Sequence, residues 1–207
     1  MPARIVSTAV VIPVRSFEDA KSRLGAVLDA EERRDLVERL LRRTVAAALA
    51  THGIDQVIVV SPDPEVLAVA SAAGARVLPQ RSRGLNPAIR EARDAAGSDR
   101  LLVLPGDLPS VSAHALLDLL DAGDRAGGRS VVLVPDRHGR GTNAMLLHPP
   151  DVIDPAFGGD SRAGHAWLAT SADATFAEAG GPLTLDVDTP DDLLLAEATD
   201  PEALGVG

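Results

Sequence analysis

Short apolar runs alternate along the first two thirds of the chain with longer stretches in which apolar residues return every three or four positions. The runs at residues 5–14, 56–60, 75–78, 100–104 and 130–134 are β-branched or leucine-rich and end on turn formers, which predicts buried strands. Residues 30–50, 64–73, 87–96 and 113–120 carry the helical spacing, with charges falling between the apolar positions. Strand alternating with helix implies a parallel sheet joined by right-handed crossovers. Beyond Pro135 the rhythm changes: the pattern predicts a strand at 142–147, a helix at 161–170, a strand at 183–187 and a last helix at 190–198, with one of these strands antiparallel. The polar, glycine-containing segment 136–141 reads as a mobile loop. Ligands of such sheets bind beyond the carboxyl ends of the strands, near a switch in strand order, so residues 13–24, 79–86, 105–109 and 186–189 are the places to search.

Composition sharpens this picture. At 207 residues the chain suits one substantial core, and we read residues 1–207 as a single domain. Hydrophobic residues make up 45% but aromatics only 2%, so the core has to be aliphatic. The expectation is an α/β three-layer sandwich with a mixed, mostly parallel sheet. Trp167 is read as core.

Twenty Lys and Arg against thirty Asp and Glu give a net charge of −10, which repels nucleic-acid backbones and anionic membrane surfaces. The chain has no Cys, which rules out a disulfide framework, a thiolate nucleophile and a Cys-based zinc site, and fits the reducing cytoplasm. The apolar stretch 5–14 is too short to span a bilayer and runs into Arg15, so it reads as the first strand and not as a signal peptide. No other run approaches membrane length. The oligomeric state stays open between a monomer and a homodimer.

Three carboxylates stand out. Asp107 follows a predicted buried strand and a Pro-Gly break, where the chain leaves the sheet for the crevice. Asp186 and Asp188 are two apart on a predicted strand, so the period of two sets both on one face. Side-by-side carboxylates repel unless a cation lies between them, and Mg2+ takes oxygen ligands from one or two carboxylates together with substrate phosphates. For Asp188 an equally good reading is a helix cap, since Thr189, Pro190, Asp191 and Asp192 have the residue types of a helix start.

Arg15, Lys21 and Arg23 gather just past the first predicted strand, in a segment with neither Walker nor GxGxxG spacing. In an acidic protein they can form a polyphosphate cradle, or they can lie on a solvated amphipathic helix. Asn86 reads either as a contact to base or ribose or, with Pro87 behind it, as a helix cap. Thr142 opens a predicted strand, and Gly158 and Ser161 flank a predicted helix start, where free N–H groups favour an anion. The alternative is that Ser161 caps its helix and Thr142 merely suits a strand. His165 follows Ser161 by one helical turn and can share its face; a lone helical His is more often packed or solvated than functional.

Six strings in order along the chain resemble one family: PVRSFEDAKSRL from 13, GLNPAI from 84, LPGDLPS from 104, GRGTNAMLL from 139, FGGDSRAGH from 157 and LDVDTPDDL from 185. Together they look like the CofC/FbiD guanylyltransferases of deazaflavin coenzyme F-420 biosynthesis. The resemblance implies a nucleotide-diphospho-sugar-transferase-like fold, GTP as donor, and phosphoenolpyruvate or 2-phospho-L-lactate as acceptor. It implies that Asp107, Asp186 and Asp188 hold Mg2+. It also implies that Arg15, Lys21, Arg23, Gly84 and Asn86 lie on the nucleotide side, with Lys21, Arg23 and Asp107 catalytic, and that Thr142, Gly158 and Ser161 hold the acceptor. Where broader relatives carry a Gly-rich loop after the first strand, this chain has PVRSFEDAKSRL, as this branch does. A related nucleotidyltransferase for a molybdopterin or sugar phosphate, or a glycosyltransferase of similar fold, is disfavoured by the acceptor-side strings. A non-catalytic nucleotide sensor is disfavoured by the retention of all three Asp and Lys21. An Ala- and Arg-rich composition points weakly to a GC-rich bacterial genome and, within the family, toward phosphoenolpyruvate.

Overall fold

The computed structural model describes residues 6–17 and 21–204. Seven strands form one sheet in the order β3-β2-β1-β4-β6-β5-β7: β1 (Thr8–Pro13), β2 (Gln56–Ser61), β3 (Arg76–Pro79), β4 (Arg100–Val103), β5 (Ser130–Pro135), β6 (Thr142–His148) and β7 (Thr175–Glu178). All neighbours run parallel except β6, which is antiparallel to both β4 and β5. Helices α1 (Ala30–Ala50), α2 (Pro64–Ala72), α3 (Leu85–Ala96), α4 (Ala113–Ala126), α5 (Ser161–Ser171), α6 (Pro190–Thr199) and α7 (Pro201–Leu204) complete the fold. Residue 5, where the first strand was expected to begin, and residues 18–20 of the basic segment lie outside the described residues.

The alternating side chains of the strands make two aliphatic layers. Val10, Ile12, Val57, Val59, Leu102 and Val132 pack under Leu41 and Val45 of α1, Val66 of α2 and Leu116 and Leu120 of α4. Val11, Ile58, Val60, Leu101, Val103, Met145 and Leu147 pack on the other side under Ala88, Ile89 and Ala92 of α3 and Ala169 of α5. This is the three-layer α/β/α sandwich that an apolar but aromatic-poor chain has to build.

Four expectations need correction. Residues 183–187 are not a strand: a 3-10 turn (Pro182–Thr184) leads into an extended segment outside the sheet. Leu183, Leu185 and Val187 are all buried, so the alternation is real, but Leu185 and Val187 pack on Leu36 and Leu40 of α1 and Leu193 of α6 instead of joining a ladder. The seventh strand is β7, a four-residue edge strand with partly exposed side chains and too little alternation to announce itself. Helix α4 continues six residues past 120 because Gly123 lets it approach β6: a Cβ there would lie 2.4 Å from the side chain of Leu146. Trp167 is not core but 68% exposed, because α5 buries the face bearing Ser161, His165 and Ala169, and Trp167 stands on another side. Residues 136–141 form the expected loop, in which the Gly139 and Arg140 N–H groups donate to Asp136 and Arg137 pairs with Asp192.

Candidate active site

Strand order reverses between β1 and β4, and the chain that leaves their carboxyl ends frames a cleft of about 680 Å³. Arg15, Lys21 and Arg23 come from the β1 side, Asp107 from the β4 side, Asp186 and Asp188 from the extended segment before α6, and Thr142 and Gly158 from the far wall. A second lobe of about 660 Å³ shares Arg15, Ser16 and Leu85 and is walled by Gln80, Arg81, Ser82, Arg83 and Gly84. All four stretches singled out from the sequence contribute to these two lobes.

The loop after β1 is tied down before it reaches the site. Ser61 Oγ donates to the Arg15 carbonyl at 2.9 Å, the Phe17 N–H donates to Asp63, and the Phe17 ring is 1% exposed. Lys21 has φ of 57°, a left-handed conformation uncommon outside glycine, at the start of a 3-10 turn (Ser22–Ala26). Its side chain, 7% exposed, donates to Asp107 Oδ2 at 2.5 Å and to Asp188 Oδ1 at 2.8 Å. Burial alone would lower the Lys21 pKa, but the charges of Asp107 and Asp188 and their hydrogen bonds outweigh it and hold the ammonium above its ordinary value. The solvated-helix reading of Lys21 does not survive this geometry.

Asp107, Asp186 and Asp188 each present an oxygen within 4.8 Å of the others. Burial, and then the charges of Asp107 and Asp188, push the Asp186 carboxyl up to about 6. Asp107 Oδ1 is buried with no hydrogen-bond partner among the described residues. An all-oxygen donor set with an orphaned buried carboxylate oxygen fits a hard divalent cation. The cluster is therefore a set of carboxylates able to hold a metal ion.

Two supports of this cluster escaped the sequence reading. Asn143 Nδ2 donates to the carbonyls of Leu183 and Thr184 and to Asp186 Oδ1, which fixes the segment carrying Asp186. The cap of α6 is Thr189, whose Oγ1 receives the Asp192 N–H, so Asp188 is not the cap and its carboxylate is left to Lys21. Asp192, 4% exposed, accepts from the Asp188 N–H, the Thr189 N–H and Thr189 Oγ1 and pairs with Arg137 at 2.5 Å. Burial alone would raise its carboxyl, and these donors bring it below the ordinary range instead. A buried polar residue inside the apolar strand TNAMLL was the available signal for Asn143; nothing local announced the pairing of Arg137 with Asp192.

Asn86 is not the cap, and its amide bonds to the backbone of Phe157. Gly84 caps α3, and the Asn86 amide donates to the Phe157 carbonyl at 3.0 Å while accepting from the Phe157 N–H at 2.8 Å. It thereby pins the loop that carries Gly158, whose φ of 146° lies where L side chains are strained. Arg81 and Arg83, which the sequence reading passed over, line the second lobe. Their loop is held by Glu91, which accepts from the Arg81 and Ser82 N–H groups.

On the far wall Ser161 Oγ donates to Thr142 Oγ1 at 3.1 Å, and His165 Nδ1 lies 3.1 Å from the same oxygen. Thr142 borders the cleft, whereas Ser161 is 3% exposed behind it and does not border it. The shared face of Ser161 and His165 expected from their spacing is present, and it is the buried face of α5.

A family model described as guanylyl transferase, CofC like, matches residues 8–196. A phosphoenolpyruvate guanylyltransferase of Sphaerobacter thermophilus is 44% identical over 192 residues, covering 91% of this chain and 91% of that protein. One of Rubrobacter xylanophilus is 40% identical over 198 residues, covering 94% and 95%. Among solved structures, a Desulfovibrio desulfuricans protein assigned as a nucleotide-diphospho-sugar transferase superposes with a TM-score of 0.76 at 17% identity, covering 93% of this chain and 87% of that one. The fold is that of the nucleotide-diphospho-sugar transferases.

Proposed function

The chain belongs to the family of CofC-like guanylyl transferases, and from that premise we propose that it joins GMP from GTP to phosphoenolpyruvate, with release of pyrophosphate, in deazaflavin coenzyme F-420 biosynthesis. The observation that carries the reading is the meeting of Lys21 with Asp107, Asp186 and Asp188 at the floor of a two-lobed cleft, at the switch in strand order. The matched residues span nearly the whole chain, in keeping with one nucleotidyltransferase domain over 1–207.

In this reaction an oxygen of the acceptor phosphate forms a bond to the α-phosphorus of GTP while the bond from that phosphorus to the bridging oxygen breaks, and pyrophosphate leaves with the electron pair. The second pKa of a phosphate monoester is about 6, so the nucleophile is already ionised near neutral pH and needs no general base. The obstacle is bringing two anions into line, and positioned cations lower it. In our assignment Arg15, Lys21 and Arg23 face the triphosphate, and the lobe walled by Arg81, Arg83 and Gly84 takes the nucleoside. Lys21 and Arg23 offset the charge that develops on the phosphates. Asp107, Asp186 and Asp188 would hold Mg2+, which when bound supplies neutralising charge to phosphate oxygens. Thr142 and the backbone at Gly158 receive the three-carbon acid. Ser161 acts from behind Thr142, and Asn86 acts by holding the Phe157–Gly158 loop.

Incubation with GTP, Mg2+ and either phosphoenolpyruvate or 2-phospho-L-lactate, followed by mass spectrometry, tests the assignment. The expected result is a guanosine diphosphate ester of the enol acid with equimolar pyrophosphate. Pyrophosphate release with 2-phospho-L-lactate alone would reassign the acceptor, and release with neither acid would refute the function.

A further inference from the structure

His165 is fully buried, yet nothing in the reaction as assigned uses it. Its surroundings leave it one arrangement of protons. Nε2 receives the backbone N–H of Ala156 at 3.0 Å, and an amide can only donate, so Nε2 carries no proton. Burial lowers the His165 pKa to about 4, so the ring is neutral near pH 7 and its single proton sits on Nδ1. The edge-on contact of the Phe157 ring, with centroids 5.0 Å apart, closes another side. Nδ1 therefore donates to Thr142 Oγ1 at 3.1 Å.

The second lone pair of Thr142 Oγ1 is also taken. Ser161 Oγ lies 3.1 Å away and has no other acceptor among the described residues, so its hydrogen goes to Thr142. A hydroxyl oxygen with both lone pairs filled can only donate. Of the three residues, Thr142 alone borders the cleft, and its hydrogen is the one left over. It is therefore the hydrogen available to whatever enters.

We infer that His165 is a positioning residue for the acceptor: through a locked tautomer it makes Thr142 a one-way donor to an anionic oxygen of the three-carbon acid. This rests on the assignment of Thr142 to the acceptor. It gives the far wall a polarity that a free Thr hydroxyl lacks, because a free hydroxyl accepts as readily as it donates. Such a wall favours an acceptor oxygen, above all the charged oxygen of a carboxylate or phosphate, and leaves a group that can only donate, such as an ammonium, without a partner.

The test has a spectroscopic and a kinetic arm. In ¹⁵N-histidine-labelled wild-type protein near pH 7, one imidazole is expected to show the Nδ1–H tautomer; the Nε2–H tautomer or an imidazolium at that ring overturns the inference without reference to activity. In steady-state kinetics His165→Phe preserves ring volume and removes the donor, and it should raise KM for phosphoenolpyruvate on the order of ten-fold, about the worth of one hydrogen bond to a charged group, with KM for GTP unchanged. His165→Asn, smaller but with an amide that can replace Nδ1–H, should recover most of that affinity. A pure packing role ranks the two variants the other way and overturns the inference. In the Thr142→Val background His165→Phe should add nothing, and multiplying effects would likewise refute action through Thr142. If Thr142→Val leaves acceptor KM unchanged, the acceptor lies elsewhere and this inference falls while the guanylyl transfer stands. If Thr142→Val raises it and His165→Phe does not, only the role of His165 falls.

Discussion

Asp107→Asn separates what the carboxylate cluster does for chemistry from what it costs the fold. Asn keeps the volume and an acceptor oxygen for Lys21 Nζ, which also retains Asp188 at 2.8 Å, while the ionised group of Asp107, Asp186, Asp188 and Lys21 falls from two net negative charges to one. The Asp186 carboxyl, raised from 3.8 to about 6 by burial and by its two neighbours, reports the strain. A raised folded pKa means that the native state holds the proton more tightly than the unfolded chain. The metal-free protein therefore has this contribution in full below about pH 3.8 and loses it as pH rises through about 6. Some two units at about 1.4 kcal/mol each set a ceiling of roughly 3 kcal/mol. Burial accounts for the largest share, so the charge of Asp107 carries only part of that ceiling, and the same charge also stabilises the buried Lys21 ammonium.

For a chain of this size 1 kcal/mol moves Tm by about 2–4 °C. Without divalent metal near pH 7.5 the repulsion relieved at Asp186 and the attraction lost at the buried Lys21 oppose each other, so Asp107→Asn should melt within a few degrees of the wild type. Mg2+ at ten times its Kd should stabilise the wild type by about 1.4 kcal/mol and the variant by much less. Turnover in the variant should drop on the order of 10²-fold or more. Melting curves between pH 4.5 and 8, with and without Mg2+, and a pyrophosphate-release assay read all three effects. A variant that melts far from the wild type in the absence of metal, or that turns over normally with Mg2+, would refute the reasoning.

Two further substitutions probe the surroundings of the cluster. Lys21→Ala should lower kcat on the order of 10²-fold, the scale for losing one preorganised donor, and should loosen GTP binding; a loss of only a few-fold in the pyrophosphate assay would remove Lys21 from the donor site. Asp192→Asn turns an amide toward Arg137 and weakens the α6 cap, so it should cost roughly 1–3 kcal/mol in thermal melts and raise the Mg2+ concentration needed for half-maximal rate, because the backbone of Asp188 is released; unchanged Mg2+ dependence would confine Asp192 to stability.

The sheet and its helices were legible because their signal is local: six of the seven strands and most helices follow from the spacing of aliphatic residues within single segments. Where the reading failed, the same spacing had a different cause. Leu183, Leu185 and Val187 alternate as a strand would, but Leu183 lies in a 3-10 turn, and Leu185 and Val187 belong to an extended segment pressed on α1 and α6 that shows the same period of two without any ladder. Strand β7 shows the converse, since it gains its identity from pairing with β5, and its four residues carry little pattern of their own.

The same distinction divides the site. Asp186 and Asp188 converge on Asp107 although the strand they were assigned to does not exist, because extended backbone, paired or not, sets alternate side chains on one face. Ser161 and His165 share a face by helical spacing. The groups that aim these side chains are distant in sequence: Asn143 bonds Asp186 across 43 residues, and Asn86 bonds Phe157 across 71. Each contact satisfies a polar group that the fold has already buried, and such partners are settled only when the whole sheet has formed. The chemistry-bearing residues could thus be picked out one segment at a time, whereas the polarity of Thr142, which depends on a backbone N–H at Ala156 acting through a ring on α5, exists only in the assembled molecule.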